Sequence, residues 1–292
     1  MVFFKHLTKS ALVYYQNFGQ FDEHLASLYS LAYGKPYIYK DTYLAYFDSY
    51  GKILHLSLFE LNKPENAVSC IGEAIKLFKP EKLVITAPYE MPQTLGKFQC
   101  FDVNQDTDYQ IYIPDFDVTL KGSNLSDARY RVRNAEKRGY TLKISKKMTP
   151  AHFHIIAQHE HSKRLDLYDQ QLYFAIYDYL RNFKSPVLFD VVCDGTLLGF
   201  DLIDFLKDTM TVPLGFYTDA PSISDFIMFN EVKYAKEKNF TWLDLGWACN
   251  LGIEEFKKKW TAIPRFKIWG YEYVINKKCV NSPEPVVEPQ LS

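Results

Sequence analysis

Apolar residues recur along this chain at two spacings, three-to-four and two, and the way these alternate predicts helices interleaved with strands. In FDEHLASLYSLAYG, Leu25, Leu28 and Leu31 stand at threes and Gly34 follows, which predicts a helix ended by a glycine. TYLAYFDSYGKILHLSLFEL is two β-rich runs about a glycine-containing turn, a hairpin. PENAVSCIGEAIKLF sets Val68, Ile71, Ala74, Ile75 and Phe78 at helical spacing. EKLVITAPY is a short apolar run bounded by turn residues and reads as a buried strand, and TDYQIYIPDFD as another strand that ends near Pro114.

TPAHFHIIAQHEHSKRLD and DQQLYFAIYDYLRNF then read as helices. SPVLFDVVCDGTLLGFDLIDFLKDTMTVPLGFYTD is three β-rich runs with turns at Asp194-Gly195 and Lys207-Asp208; Asp-Gly between apolar runs is a strong hairpin signal. PSISDFIMFNEVKYAKEKNF follows as a helix carrying Ile227, Val232 and Ala235, capped by Ser222 or Ser224. TWLDLGW is a buried strand, GIEEFKKKW a short amphipathic helix through Ile253, Phe256 and Trp260, and RFKIWGYEYVI a closing strand. The order predicts an α/β fold: a mixed, largely antiparallel twisted sheet with helices on both faces. The first third is a shorter echo of the rest in element order, without a residue-level repeat.

Composition narrows the class. The 292 residues suit one large domain or two ordinary ones, and 47% hydrophobic content supports a packed core. A net charge of −1 argues against general nucleic-acid coating, so any anion site must be local. Cys70, Cys100, Cys193, Cys249 and Cys279 are odd in number and far apart, without CxxC, which fits neither a disulfide framework nor a zinc ribbon. The first residues lack the apolar core of about 7–15 residues that a signal peptide carries, and no apolar run reaches roughly 18 residues, so a cytoplasmic protein without an integral membrane segment is expected. Residues 279–292 are expected to form a flexible tail.

Against that balance, GSNLSDARYRVRNAEKRGYTL stands out: Arg129, Arg131, Arg133, Lys137 and Arg138 fall within ten residues. At about 100° per residue, Leu125, Ala128, Val132 and Ala135 share one face, and Arg129, Arg133 and Lys137 form a stripe beside it, with Gly139 placed to end the helix. The stripe is either a solvated face or a phosphate site, for which arginine's bidentate fork is suited.

This sequence resembles the GNAT acyltransferase superfamily, and more narrowly its tandem-GNAT branch, which holds Fem-type aminoacyl-tRNA-dependent peptidyltransferases and the catalytic domain of phosphatidylglycerol lysyltransferases. ARYRVRNAEKRGYTLKI, PSISDFIMFNEVKYAKEKNFTWLDLGW and GIEEFKKKWTAIPRF carry the resemblance, over roughly residues 115–275. The resemblance implies tandem GNAT-like halves, a degenerate one over 1–114 and a second over 115–278. It implies an acyl or aminoacyl transfer to an amine from a phosphate-bearing co-substrate, aminoacyl-tRNA or an atypical acyl-CoA, with no permanently bound cofactor. The glycine-rich turn of acetyl-CoA-using members is replaced by TDAPSISDF, where Ser222 and Ser224 offer hydroxyls and Asp219 and Asp225 the opposing charge. The alternative is a non-catalytic GNAT-fold module that binds an anionic partner; a lipid-directed transferase is the third reading.

In such folds the fourth and fifth strands splay apart around the donor carbonyl. That geometry makes Asp244 a base or an orienter of the amine, against a fold-supporting carboxylate. It makes Tyr217 a candidate acid for the leaving group, and Trp247 and Asn250 candidate substrate contacts. Asp201, in LLGFDLIDF, is an inward carboxylate that needs a partner. Cys249 reads first as an unreactive thiol. Lys257 in FKKKW is placed near the donor's phosphates by the resemblance, against simple solvation of a lysine run. Four histidines lie in HFHIIAQHEH, but their i, i+7 pairs stand about 10 Å apart, too far for one metal ion held at about 2 Å, so no metal is expected. His159 is instead expected to line the acceptor pocket.

Overall fold

The computed structural model describes residues 4–18, 25–59, 64–163 and 167–275. The expected tail, and the start of the FDEHLASLYSLAYG helix, lie outside the described residues. The chain begins β1 (Phe4–His6), α1 (Lys9–Phe18), α2 (Ala26–Ala32), β2 (Lys35–Tyr39), β3 (Tyr43–Asp48), β4 (Ile53–Ser57), α3 (Pro64–Phe78), β5 (Lys82–Ala87), β6 (Thr94–Leu95) and β7 (Phe98–Tyr112). It continues α4 (Ser126–Lys137), β8 (Thr141–Ser145), α5 (Pro150–Lys163), α6 (Leu167–Asn182), β9 (Val187–Cys193), β10 (Thr196–Phe205) and β11 (Thr209–Tyr217). The last elements are α7 (Ile223–Glu237), β12 (Trp242–Trp247), α8 (Leu251–Lys259) and β13 (Ile263–Ile275).

By their contacts the described residues divide into two units, one of residues 4–12, 25–59, 64–106 and 267–275, the other of 13–18, 107–163 and 167–266. This differs from a contiguous division at residue 114: residues 13–18 and 107–114 go with the second unit, and 267–275 with the first. In the first unit β1, β2, β3, β4, β5 and β13 lie side by side in that order, all antiparallel except β4 with β5. The strand residues Leu54, Leu56, Leu83 and Ile85 and the α3 residues Ala67, Ile71 and Ala74 form its core.

In the second unit the order is β7, β12, β11, β10, β9, β8, again antiparallel except for β11 with β12. Strand alternation sorts its side chains onto two faces. Phe200 and Phe216 stack on one face, where α5 brings His152 and His159 against them. Asp201, Gly215 and Tyr217 lie on the other, which α7 covers. The fold is a mixed, largely antiparallel α/β sheet, as the element order predicts.

α4 buries Leu125, Ala128, Val132 and Ala135, the face that periodicity assigns. Its C-terminus is a Schellman motif: Tyr140 N–H donates to Ala135 O at 3.2 Å and Gly139 N–H to Glu136 O at 2.9 Å, with Gly139 at φ +79°. α8 ends the same way through Ala262 and Lys257, but its left-handed position holds the exposed, β-branched Thr261 at φ +61°. Thr261→Gly is therefore expected to raise stability by about 1 kcal/mol, read as a higher midpoint in urea; an unchanged or lower midpoint contradicts this.

Candidate functional site

The ladder between β11 and β12 breaks after three residues. Thr209, Met210 and Thr211 pair with Trp242, Leu243 and Asp244, and the pairing goes no further. The next residues on each strand explain the break. Val212 and Pro213 both stand opposite Ile203 of β10, a bulge, and proline has no N–H for a ladder. On β12 the register against β7 shifts between Asp244 and Gly246, and Gly246 takes φ +64°. Two bulges at one level turn the strands apart, so β11 and β12 form a fork with Asp244 at its vertex.

Thr218 N–H donates to Leu198 O on β10 at 2.9 Å. Because N–H directions alternate along a strand, those of Phe216 and Leu214 also face β10, and those of Gly215 and Tyr217 face the fork. These two donors have lost the strand they would otherwise pair with.

The β12 arm is held differently. The left-handed turn at Gly246 brings three consecutive carbonyls together, and the buried Lys257 Nζ donates to Leu245 O, Gly246 O and Trp247 O at 2.7, 2.8 and 2.5 Å. This lysine thus puts its charge on the backbone of the fork, not on an open surface. Asp244 Oδ1 accepts from Gly246 N–H at 2.9 Å, and its other oxygen stands 3.8 Å from Arg265 Nη1. Asn250 caps α8, its Oδ1 accepting from Ile253 N–H at 3.0 Å. Trp247 is half-buried at the end of β12, and Cys249 is exposed beyond it.

Beneath β11 lies a buried acid pair. Tyr217 folds back over Gly215 and Gly199: a Cβ on Gly199 would stand 2.8 Å from the Tyr217 ring, and one on Gly215 would overlap Asp201 Oδ1. The hydroxyl donates to Asp201 Oδ1 at 2.5 Å. Glu231 of α7 comes to the same place, fully buried, and neither of its oxygens meets an N–H or hydroxyl donor among the described residues. Two carboxyls can bond each other only when one keeps its proton. Burial, with the neighbouring Asp201 charge, pushes the Glu231 carboxyl well above its ordinary range, and burial lifts Asp201 to about 6. Burial also raises the Tyr217 phenol, reinforced by Asp201 and Glu231.

An open cleft of about 390 Å³ lies where β11 runs into α7. Tyr217, Thr218, Ser222, Ser224, Arg131 and Lys259 line it, together with Asp219 and Asp225. Ser222 is the N-cap residue of α7, but at φ +68° its side chain makes no capping bond. Lys259 Nζ sits 2.6 Å from Asp225, and Asp127 lies 3.4 Å from both Lys259 and Arg131.

Of the basic residues of α4, therefore, Arg131, which stands off the stripe, reaches the cleft, while the stripe residues Arg129, Arg133 and Lys137 are not among its lining. Arg129 is turned inward onto the Leu120 carbonyl, and Arg133 and Lys137 are exposed. His159 packs edge-on to Phe216 and Tyr173, on the sheet face opposite Tyr217. His152 bonds Asp190 through Nε2 at 3.1 Å and takes the Thr149 N–H on Nδ1 at 3.0 Å, a satisfied interior histidine. Sequence reasoning missed Glu231, Arg131 and Lys259 as residues of this region. For Glu231 there was a signal: it stands four residues after the buried Ile227, in phase with the core face of α7.

A sheet forked between two parallel strands, with a helix rising from one arm, defines a GNAT-like α/β fold. Among solved structures, the chain is similar to L-PGS from Bacillus licheniformis at a TM-score of 0.60, with 16% identity over 91% of this chain and 92% of that one. FemX matches at 0.57, with 14% identity over 94% of this chain and 98% of that one. A tandem GNAT protein from the clavulanic acid biosynthesis pathway matches at 0.50, with 10% identity over 82% and 77%. The likeness shows that this chain shares the fold of these proteins. No protein-family model matches the sequence, and no curated protein matches it. No helix among the described residues is long and apolar enough to cross a membrane.

Proposed function

We propose that this protein transfers an acyl or aminoacyl group from a phosphate-bearing donor to an amine. The observation that carries the reading is the fork itself: two backbone N–H groups, of Gly215 and Tyr217, face the opening between β11 and β12 beside a cleft lined by hydroxyls and two cations. A donor whose phosphates rest by Arg131, Lys259 and the first turn of α7 would lay its carbonyl along the free edge of β11. The N–H groups then polarise the carbonyl oxygen and stabilise the charge it gains when the amine attacks. The new C–N bond forms, the C–S or C–O bond to the donor breaks, and the proton released by the amine ends on the leaving sulfur or oxygen.

The Tyr217 hydroxyl is turned onto Asp201, so a water is the better proton carrier in this arrangement. Asp244 holds the bulge at the vertex. TDAPSISDF lacks the glycines of a standard pyrophosphate turn, and with the resemblance of the sequence to the Fem-type branch this favours aminoacyl-tRNA over acyl-CoA as the donor. The cytoplasm, where both donors are found, is the compartment this reading requires. The reading of a non-catalytic module would place its anionic partner on the exposed face of α4, at Arg133 and Lys137, and not in the cleft, where Asp219 and Asp225 oppose an anion.

Binding measurements separate the two donors and test the cleft. Arg131→Ala and Lys259→Ala are each expected to weaken the bound donor about tenfold, the loss of one charge-assisted hydrogen bond. Arg133→Ala and Lys137→Ala are expected to change affinity less than about twofold, because exposed charges outside the cleft act only through screened solvent. Losses at Arg133 and Lys137 without losses at Arg131 and Lys259 would place the anion on the basic stripe instead, and no binding of either donor would leave the transferase reading without support.

A further inference from the structure

We infer that Asp201, Glu231 and Tyr217 are positioning residues for the fork: the acid pair shares one proton, and Tyr217 ties that proton-dependent pair to the free edge of β11. The inference rests on the acyl-transfer reading for its purpose, though not for its test. Beyond Pro213 that edge has lost its β12 ladder; on the α7 face the Tyr217 side chain holds it, beside the bonds to β10 and the packing of Phe216 on the opposite face. The ring lies across Gly199 and Gly215, a tray that any Cβ would fill, and its hydroxyl ends on Asp201 at 2.5 Å. The two N–H groups proposed to polarise the donor carbonyl belong to Gly215, in the tray, and to Tyr217 itself. The pair's protonation state therefore reaches the Tyr217 N–H through the Tyr217 side chain, while Gly215 also stands directly across the ladder from Asp201.

Among the described residues, the groups packed around the pair are mainly apolar. β9 places Phe189 opposite Asp201, and β12 buries Leu243 and Leu245. On α7, Ile227 and Val232 are buried beside Glu231, and Lys233 is exposed. α4, packed against α7, buries Ala128, Val132 and Ala135 and keeps Arg131, Arg133 and Lys137 exposed. Among the described residues, the charges that act on the pair are its own two carboxyls, and no lysine or arginine neutralises them. Such a pair holds one proton over a wide range, because the second charge has nothing to balance it.

The test uses the intact protein without any donor, so its outcome is independent of whether the transferase reading holds. The carboxyl carbon signals of Asp201 and Glu231 and the amide signals of Gly215 and Tyr217 are followed by NMR from pH 4 upward. The expected result is that the two carboxyls titrate as one coupled system and that both amide signals move with them. Glu231→Gln should replace the coupled titration by a single titration of Asp201, which the amide signals then follow. Tyr217→Phe should keep the coupled carboxyl titration and lose the response of the residue 217 amide, and it serves alone if Glu231→Gln does not fold. Carboxyls that titrate independently in the ordinary range, or amides that stay fixed while the pair titrates, would overturn the inference. So would a residue 217 amide response that survives Tyr217→Phe.

Discussion

Lys257→Met is expected to lower the stability of the second unit by about 3–5 kcal/mol, the cost of leaving a buried cluster of acceptors without its charged donor. The lysine side chain is only 5% exposed, and its ammonium answers the carbonyls of Leu245, Gly246 and Trp247 together. Methionine fills the same channel with a similar chain, so packing changes little and the loss reports the hydrogen bonds. With the carbonyls unanswered, the left-handed turn at Gly246 keeps only the bond from its N–H to Asp244, and the β12 arm of the fork loosens. Lys258, one residue on, is exposed and pairs with Glu254 at 2.5 Å. Lys258→Met is expected to leave the urea midpoint where it is. Equal effects at the two positions would show that the run of lysines acts by solvation alone.

Gly215→Ala is expected to cost about 2–4 kcal/mol and to abolish donor binding. The added Cβ would overlap Asp201 Oδ1 and stand 2.6 Å from the Tyr217 hydroxyl oxygen. Both atoms belong to buried, bonded groups, so neither can move aside without breaking the bond between them. Gly252→Ala is the contrast. Gly252 lies in α8 with Asn250 Oδ1 at 3.4 Å from the new Cβ, an ordinary contact, and alanine favours a helix. That change is expected to stabilise by up to about 1 kcal/mol. A Gly215→Ala protein with wild-type stability and binding would mean that the Tyr217 ring does not lie across this glycine.

Much of the fold was legible because burial and periodicity coincide in it. α3 runs over the residues its apolar spacing picked out, and Asp194-Gly195 joins β9 to β10. β8 was not legible. Its sequence, TLKIS, has no fully buried residue, so its alternation carries no contrast, and its place at the end of the sheet depends on pairing with β9. α1 was missed for a similar reason, its apolar residues being split between buried Leu12 and exposed Val13 and Tyr14.

The site divides in the same way. Asp201 reads as an inward carboxylate from the strand LLGFDLIDF, and it is 1% exposed. Its partner Glu231 lies thirty residues on, in a helix whose other charges hide one that is buried. In FKKKW the three lysines look alike in sequence, and only the bulge in β12 singles out Lys257 for the interior. Arg131 was set aside because it stands off the stripe of Arg129, Arg133 and Lys137. The cleft is reached from the other side of that helix, near α8, a neighbour that sequence spacing does not announce. Pro213 in TMTVPLGFY was the overlooked marker of the fork: a proline inside a buried strand has to end a ladder there.

The central claim is that the fork between β11 and β12 receives the acyl group of a phosphate-bearing donor. It is tested most directly by following backbone amide signals while the protein is titrated with an acyl-CoA, and separately with a non-hydrolysable analogue of an aminoacylated tRNA 3′ end. The account predicts that one of these saturates and moves the amide signals of Gly215, Tyr217 and Thr218 together with those of the first turn of α7. Saturable binding that leaves Gly215 and Tyr217 unmoved and shifts signals elsewhere would contradict it.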